Sequence, residues 1–136
     1  LFSVLFGIAV AEGQIDTSAT LADLGIDDTP PLTEAEQQAR VADLLTTSSG
    51  VYHAAAGESP QTQKPERGSA AAGERWYYNN WDFNVLGTIY EQETGTRIYE
   101  AFGAQIAEPI GMEDYDPVWG SYRLHPDRSE HPSYPL

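Results

Sequence analysis

The stretch Tyr77-Tyr78-Asn79-Asn80-Trp81-Asp82-Phe83-Asn84-Val85-Leu86-Gly87 reads as a loop turning into a helix. Asn80 is suited to the N-cap, and Asp82 falls in the first turn, where the helix dipole favours an acid. Phe83, Leu86, Ile89 and Tyr90 recur at helical spacing as far as Thr94-Gly95, and Gly95 ends the helix. A tyrosine and an asparagine two residues apart at such a junction can present two polar tips to one cleft on a rigid support. The phenol can move protons where nearby positive charge brings its pKa towards the working pH. The amide can bond both a substrate carbonyl and a catalytic ammonium. The short pattern by itself fits equally well a helix cap beside a half-buried tyrosine.

Beyond this helix, Tyr99, Phe102, Ile106 and Ile110 share one face of a second, whose end is bracketed by Pro109 and Gly111. Two amphipathic helices joined by a short turn are expected to pack as an antiparallel pair. From Glu113 the chain reads as irregular, with Pro117, Pro126, Pro132 and Pro135. Upstream, His53 to Gly73 is rich in Ala, Gly, Ser, Pro and Gln without an apolar period, which predicts a long surface loop. Thr33-Glu34-Ala35-Glu36 is a capping-box pattern that predicts a short helix. Another short helix is expected over Arg40 to Leu45, broken by Ser48-Ser49-Gly50. Gly13 to Pro31 reads as irregular and acidic. Leu1 to Ala11 is almost wholly apolar. It is shorter than the roughly 20 residues a membrane span takes, and it lacks the basic lead of a signal peptide. It reads as a buried helix ended by Gly13, so the start of the chain is expected to be a truncation.

Composition narrows the function. With 21 acidic against 7 basic residues the net charge is −14. Such a field repels phosphate and anionic headgroups, which argues against nucleic-acid and membrane partners. The chain has no cysteine, so disulfides, thiolate metal sites and a cysteine nucleophile are excluded. His53, His125 and His131 lack metal-binding spacing and read as loop or surface histidines. Glu113-Asp114-Tyr115-Asp116 lacks the glycine and distal glutamate of an EF-hand loop and reads as a solvated acidic turn. No metal or cofactor is expected. Trp81, Trp119 and Tyr122 read as core rather than pocket. Gly87, Gly95, Gly103 and Gly111 recur every eight residues, and each is explained by packing or helix ending.

The run Gly73-Glu74-Arg75-Trp76-Tyr77-Tyr78-Asn79-Asn80, followed by Phe83, Leu86-Gly87, Glu91 and Thr94-Gly95, resembles the second motif region of class C β-lactamases, D-alanyl-D-alanine carboxypeptidases and related esterases. Asn79 stands where serine is usual there, and Ala72 where proline is. Asp43-Leu44-Leu45-Thr46-Thr47-Ser48-Ser49-Gly50 resembles the family's D-L-L-T-H-T-S-G turn, with Thr47 in place of histidine. Glu108-Pro109-Ile110-Gly111-Met112 resembles its E-P-L-G-M helix end, and Gly7 to Asp16 resembles the tail of its nucleophile helix. The family's tyrosine lies nine positions before the Leu-Gly glycine, which selects Tyr78 and Asn80 over Tyr77 and Asn79.

The resemblance implies a mainly α chain: a helical subdomain fragment of an α/β β-lactamase/transpeptidase-like fold, with residues 1–136 as part of one such domain. It implies that Tyr78 shuttles the proton of a nucleophilic serine and of the leaving group, and that Asn80 binds the substrate carbonyl side and orients a catalytic lysine. The substrate would be a small molecule: a β-lactam, a D-alanyl peptide, or a small ester or amide. A periplasmic or secreted setting is implied too. Yet Lys64 is the only lysine and Gln61 stands three residues before it, so Ser-x-x-Lys is absent from these residues. Family order places that motif just ahead of Leu1, and the third motif after the chain's last residue. The isolated chain is therefore expected to be inactive. A non-catalytic binding relative of the same fold and an unrelated helical domain are the alternatives; the last predicts no shared cleft for Tyr78 and Asn80.

Overall fold

A computed structural model of the chain describes residues 1–58, 63–125 and 129–135, the side chain of His125 excepted. It is helix-rich, with one two-stranded sheet among the described residues. Helix α1 spans Phe2–Ala11, α2 Val41–Leu45, α3 Asn80–Thr94 and α4 Ile98–Phe102; strands β1 (Arg123–His125) and β2 (Ser129–Ser133) pair antiparallel. Residues 59–62, which include Gln61, and 126–128, which include Pro126, lie outside the described residues.

Helix α3 is the centre of the core. Its buried face carries Trp81, Val85, Ile89 and Tyr90, and Leu5, Phe6 and Ala9 of α1, Val41 and Leu44 of α2, and Ile98 and Phe102 of α4 join the same cluster. Gly95 adopts φ +68° and ends α3 as expected. Gly87 is a packing glycine: a Cβ there would overlap the Tyr134 ring, whose hydroxyl donates to the Phe83 carbonyl. Gly87→Ala is expected to expel that ring and cost about 1–3 kcal/mol of stability. Chemical denaturation measures it, and an unchanged midpoint would show that Tyr134 is not seated there.

Several expectations hold. Helix α1 ends with Gly13 and Gln14 N–H groups donating to Val10 and Ala9 carbonyls at 3.0 and 2.9 Å. Thr33 and Glu36 exchange the reciprocal bonds of a capping box, at 2.8 and 3.2 Å, although only a 3₁₀ turn (Glu36–Gln38) comes after it. Others are corrected. Helix α1 buries one face only; Leu1 and Val4 are exposed. The helix begun by α4 runs into a π turn, Gly103–Ala107, in which Glu108 N–H donates to Gly103 five residues back. The wider turn rotates the residues beyond it, so Tyr99 and Phe102 are buried while Ile110 is 69% exposed. The segment after Glu113 contains a 3₁₀ turn (Pro117–Trp119) and the β1–β2 hairpin. Pro132 and a sequence without apolar alternation hide β2, which packs on α3. The loop from His53 is not wholly superficial, since His53, Ala55 and Ala56 are buried.

Candidate active site

The chain ahead of α3 is held by the turn after α2. Tyr77 N–H donates to Thr47 O at 3.0 Å, and Gly73 N–H to Ser48 O at 2.7 Å. Gly50 permits the approach: it has φ +73°, and a Cβ there would lie 2.7 Å from the Ala70 carbonyl oxygen. The Asp43-to-Gly50 turn and the Tyr-x-Asn segment, distant in sequence, are thus hydrogen-bonded neighbours.

Asn79, not Asn80, caps α3. Asn79 has the extended dihedrals a cap needs, φ −113° and ψ 105°, whereas Asn80 is already helical. The Asn79 Oδ1 accepts from Trp81 N–H at 3.3 Å, and its Nδ2 donates to Val51 O at 2.8 Å and Asp82 Oδ1 at 3.0 Å. The one-residue difference leaves Asn80 free of capping. Its Nδ2 donates to Gly57 O at 3.3 Å. Tyr78 is 60% exposed, its ring edge-on to Phe83 with centroids 5.3 Å apart.

Tyr78 and Asn80 line one cavity of about 630 Å³, within the range of small-molecule sites. Phe2, Ser3 and Phe6 of α1 form one wall; Phe83, Asn84 and Leu86 of α3 form another; Tyr134 closes a third side. Arg123 of β1 is the only charged side chain in the lining among the described residues. Tyr77 and Asn79 are not in it: Tyr77 stacks edge-on against Tyr52 at 5.8 Å, and Asn79 is 2% exposed. The structure therefore brings together the two residues singled out in the sequence and separates the alternative pair. Arg123, Ser3 and Tyr134 carry no sequence signal, because each reaches the cavity only through tertiary packing.

Asp82 falls in the first turn of α3 as expected, but it is fully buried rather than solvated. Burial pushes its carboxyl up to about 8, against hydrogen bonds from Ser49 and Asn79. A second polar cluster surrounds Trp81. His53, 4% exposed, lies between two carboxylates, with Nδ1 3.6 Å from Asp28 and Nε2 3.6 Å from Glu36. Arg67 grips Glu36 through Nε at 2.8 Å and its terminal nitrogen at 2.6 Å. His131, also buried, bonds Thr88 Oγ1 at 3.0 Å and the Asp27 carbonyl at 2.8 Å. The surface reading of these two histidines is corrected: His131 is satisfied by hydrogen bonds to distant segments, whereas His53 sits between two carboxylates with neither ring nitrogen hydrogen-bonded among the described residues. Trp81 is core, as expected, and the half-buried Tyr122 packs against the core while touching Glu91 and Arg97; Trp119 is instead 71% exposed. The one lysine, Lys64, pairs with Glu58 and the His53 carbonyl rather than lining the cavity.

A family model described as Beta-lactamase matches residues 1–121. No curated protein matches. Two crystal structures share the fold: SurE, with a TM-score of 0.59, and SurE with D-Leu, with 0.58, each at 20% identity and over 92% of this chain. The matched region is 27% and 28% of those chains, so this chain spans under a third of the solved structures it resembles. No helix among the described residues is long and apolar enough to cross a membrane.

Proposed function

The chain belongs to the beta-lactamase family, and from that premise we propose that its cavity is the tyrosine side of a serine hydrolase site working through an acyl-enzyme. The observation that carries this reading is the shared cavity of Tyr78 and Asn80, with the first residues of α1 in its wall. A Ser-x-x-Lys segment running into Leu1 would enter the cavity at that wall. The serine oxygen attacks the substrate carbonyl and its proton passes by way of the Tyr78 phenol to the departing amine or alcohol. Water then cleaves the resulting ester, which restores the serine and releases the acid. Asn80 donates an amide hydrogen to the substrate's carbonyl side and accepts from the lysine ammonium.

Candidate substrates are a β-lactam, a D-alanyl peptide and a small ester or amide. The D-Leu held by SurE, whose fold is shared, favours the D-aminoacyl member. The test is covalent labelling. A polypeptide carrying Ser-x-x-Lys ahead of Leu1 is expected to release the leaving group of an activated D-alanyl ester in a burst and retain one acyl group. The 136-residue chain is expected to give none. A burst from this chain alone sinks the proposal. Binding without acylation in the longer polypeptide would support a non-catalytic binding relative instead.

A further inference from the structure

Beneath the cavity, a closed ring of hydrogen bonds joins the turn after α2 to the start of α3. Ser49 Oγ donates to Asp82 Oδ1 at 2.6 Å and accepts from Val51 N–H at 3.1 Å. Asn79 Nδ2 donates to the same carboxylate oxygen at 3.0 Å and to the Val51 carbonyl at 2.8 Å. Asn79 is the residue between Tyr78 and Asn80, so whatever fixes it sets the backbone from which both cavity side chains project. None of Ser49, Asn79 and Asp82 lines the cavity. We infer that Asp82 is a positioning residue, which holds Asn79 and through it the Tyr78-to-Asn80 turn in the geometry that opens both side chains to the cavity. The role rests on the proposed function of that cavity.

The charge state of Asp82 matters to this ring. Asp82 Oδ2 has no hydrogen-bond partner among the described residues, so it is the oxygen suited to carry the proton. The charged and titratable groups around it are Asp43 on α2, itself paired with Arg40, and Tyr52, which in turn faces Arg75, Glu74 and Tyr77. Asp43 opposes ionisation of Asp82, and no cation among the described residues touches it. Ionisation would put an unpaired negative charge under the turn, next to Asn79. The folded chain holds this proton where the unfolded chain has released it. Stability therefore falls as pH rises from 3.8 towards 8 and is level above that.

The experiment tracks the amide resonances of Tyr78, Asn79 and Asn80 in the 136-residue chain as pH is raised through 8. The wild-type chain is expected to show a step there, set by the Asp82 carboxyl. Asp82→Asn, neutral at every pH and the same shape, is expected to keep the low-pH positions and abolish the step. It is also expected to remove the fall in melting temperature with rising pH. Ser49→Ala deletes a bond that favours the carboxylate and is expected to move the step to higher pH. Residues 78–80 that do not respond, or an Asp82→Asn chain with the same step, overturn the inference. Neither result bears on whether Tyr78 transfers protons, which is read from activity alone.

Discussion

Replacing Tyr78 by phenylalanine, in a polypeptide that carries the serine and lysine, is expected to lower kcat/KM by about 10²–10⁴-fold. The phenol oxygen is the only atom removed. Phenylalanine keeps the ring edge-on to Phe83 and, at a position 60% exposed, leaves the fold intact. Under the proposed mechanism the loss should appear in acylation, where the proton of the serine and that of the leaving group would both pass through this group. A burst experiment separates the steps: a slower burst with unchanged ester hydrolysis places the defect in the first. Tyr77→Phe is the control. Its ring lies against Tyr52, away from the cavity lining, so kcat/KM should stay near wild type. If Tyr77→Phe loses activity and Tyr78→Phe does not, the register of the motif is wrong. If neither does, the cavity is not an acyl-transfer site.

Asp28→Ala is expected to cost about 3–5 kcal/mol of folding stability, read as a lower urea midpoint with little change in slope. Asp28 is 3% exposed. Its Oδ2 accepts from Trp81 Nε1 at 2.6 Å and Ser129 Oγ at 2.8 Å; its Oδ1 accepts from the Thr29 and Glu130 N–H groups, each at 2.8 Å. One carboxylate thus joins the loop after Gly25, the first turn of α3 and strand β2. Alanine leaves four donors behind, two of them, on Trp81 and Ser129, in the interior, and an unpaired buried donor costs about 1–3 kcal/mol. The effects overlap, so the total stays below their sum. The same residue sets an acid limit. Burial alone would raise its pKa, but His53, the Glu130 N–H, the Trp81 indole and the Thr29 N–H hold it well below the ordinary 3.8. A depressed folded pKa contributes stability that is present above 3.8 and lost as pH falls below it. Asp28→Ala should therefore flatten the acid side of the stability curve. An unchanged urea midpoint would show that the cluster around Trp81 is not structural.

Asp28 and Asp82 illustrate how little of this a linear reading reveals. Asp28 lies in an acid-rich stretch and Asp82 in the first turn of a helix, so sequence alone makes them a solvated and a dipole-facing carboxylate. In the fold they are buried and shifted in opposite directions, because Asp28 gathers donors from three segments while Asp82 meets two donors and the neighbouring charge of Asp43. His53 and His131 show the same pattern: no local periodicity marks them, and their partners lie in other segments.

The features legible in residue order alone are local and repeated. The apolar spacing of α3, its end at Gly95, the Thr33–Glu36 bonds and the family's ordered motifs all act over a few residues, or by identity at set spacings. The distance to Gly87 likewise selects Tyr78 and Asn80 without reference to the fold. Tertiary contacts alone settle that Asn79 takes the cap and leaves Asn80 to the cavity, that α1 and Tyr134 wall that cavity, and that β2 exists at all. These outcomes depend on pairings between segments such as Asp28 and Ser129, 101 residues apart. The free energy of burying a polar group is set by the partner it meets, and nothing local in a sequence records that meeting.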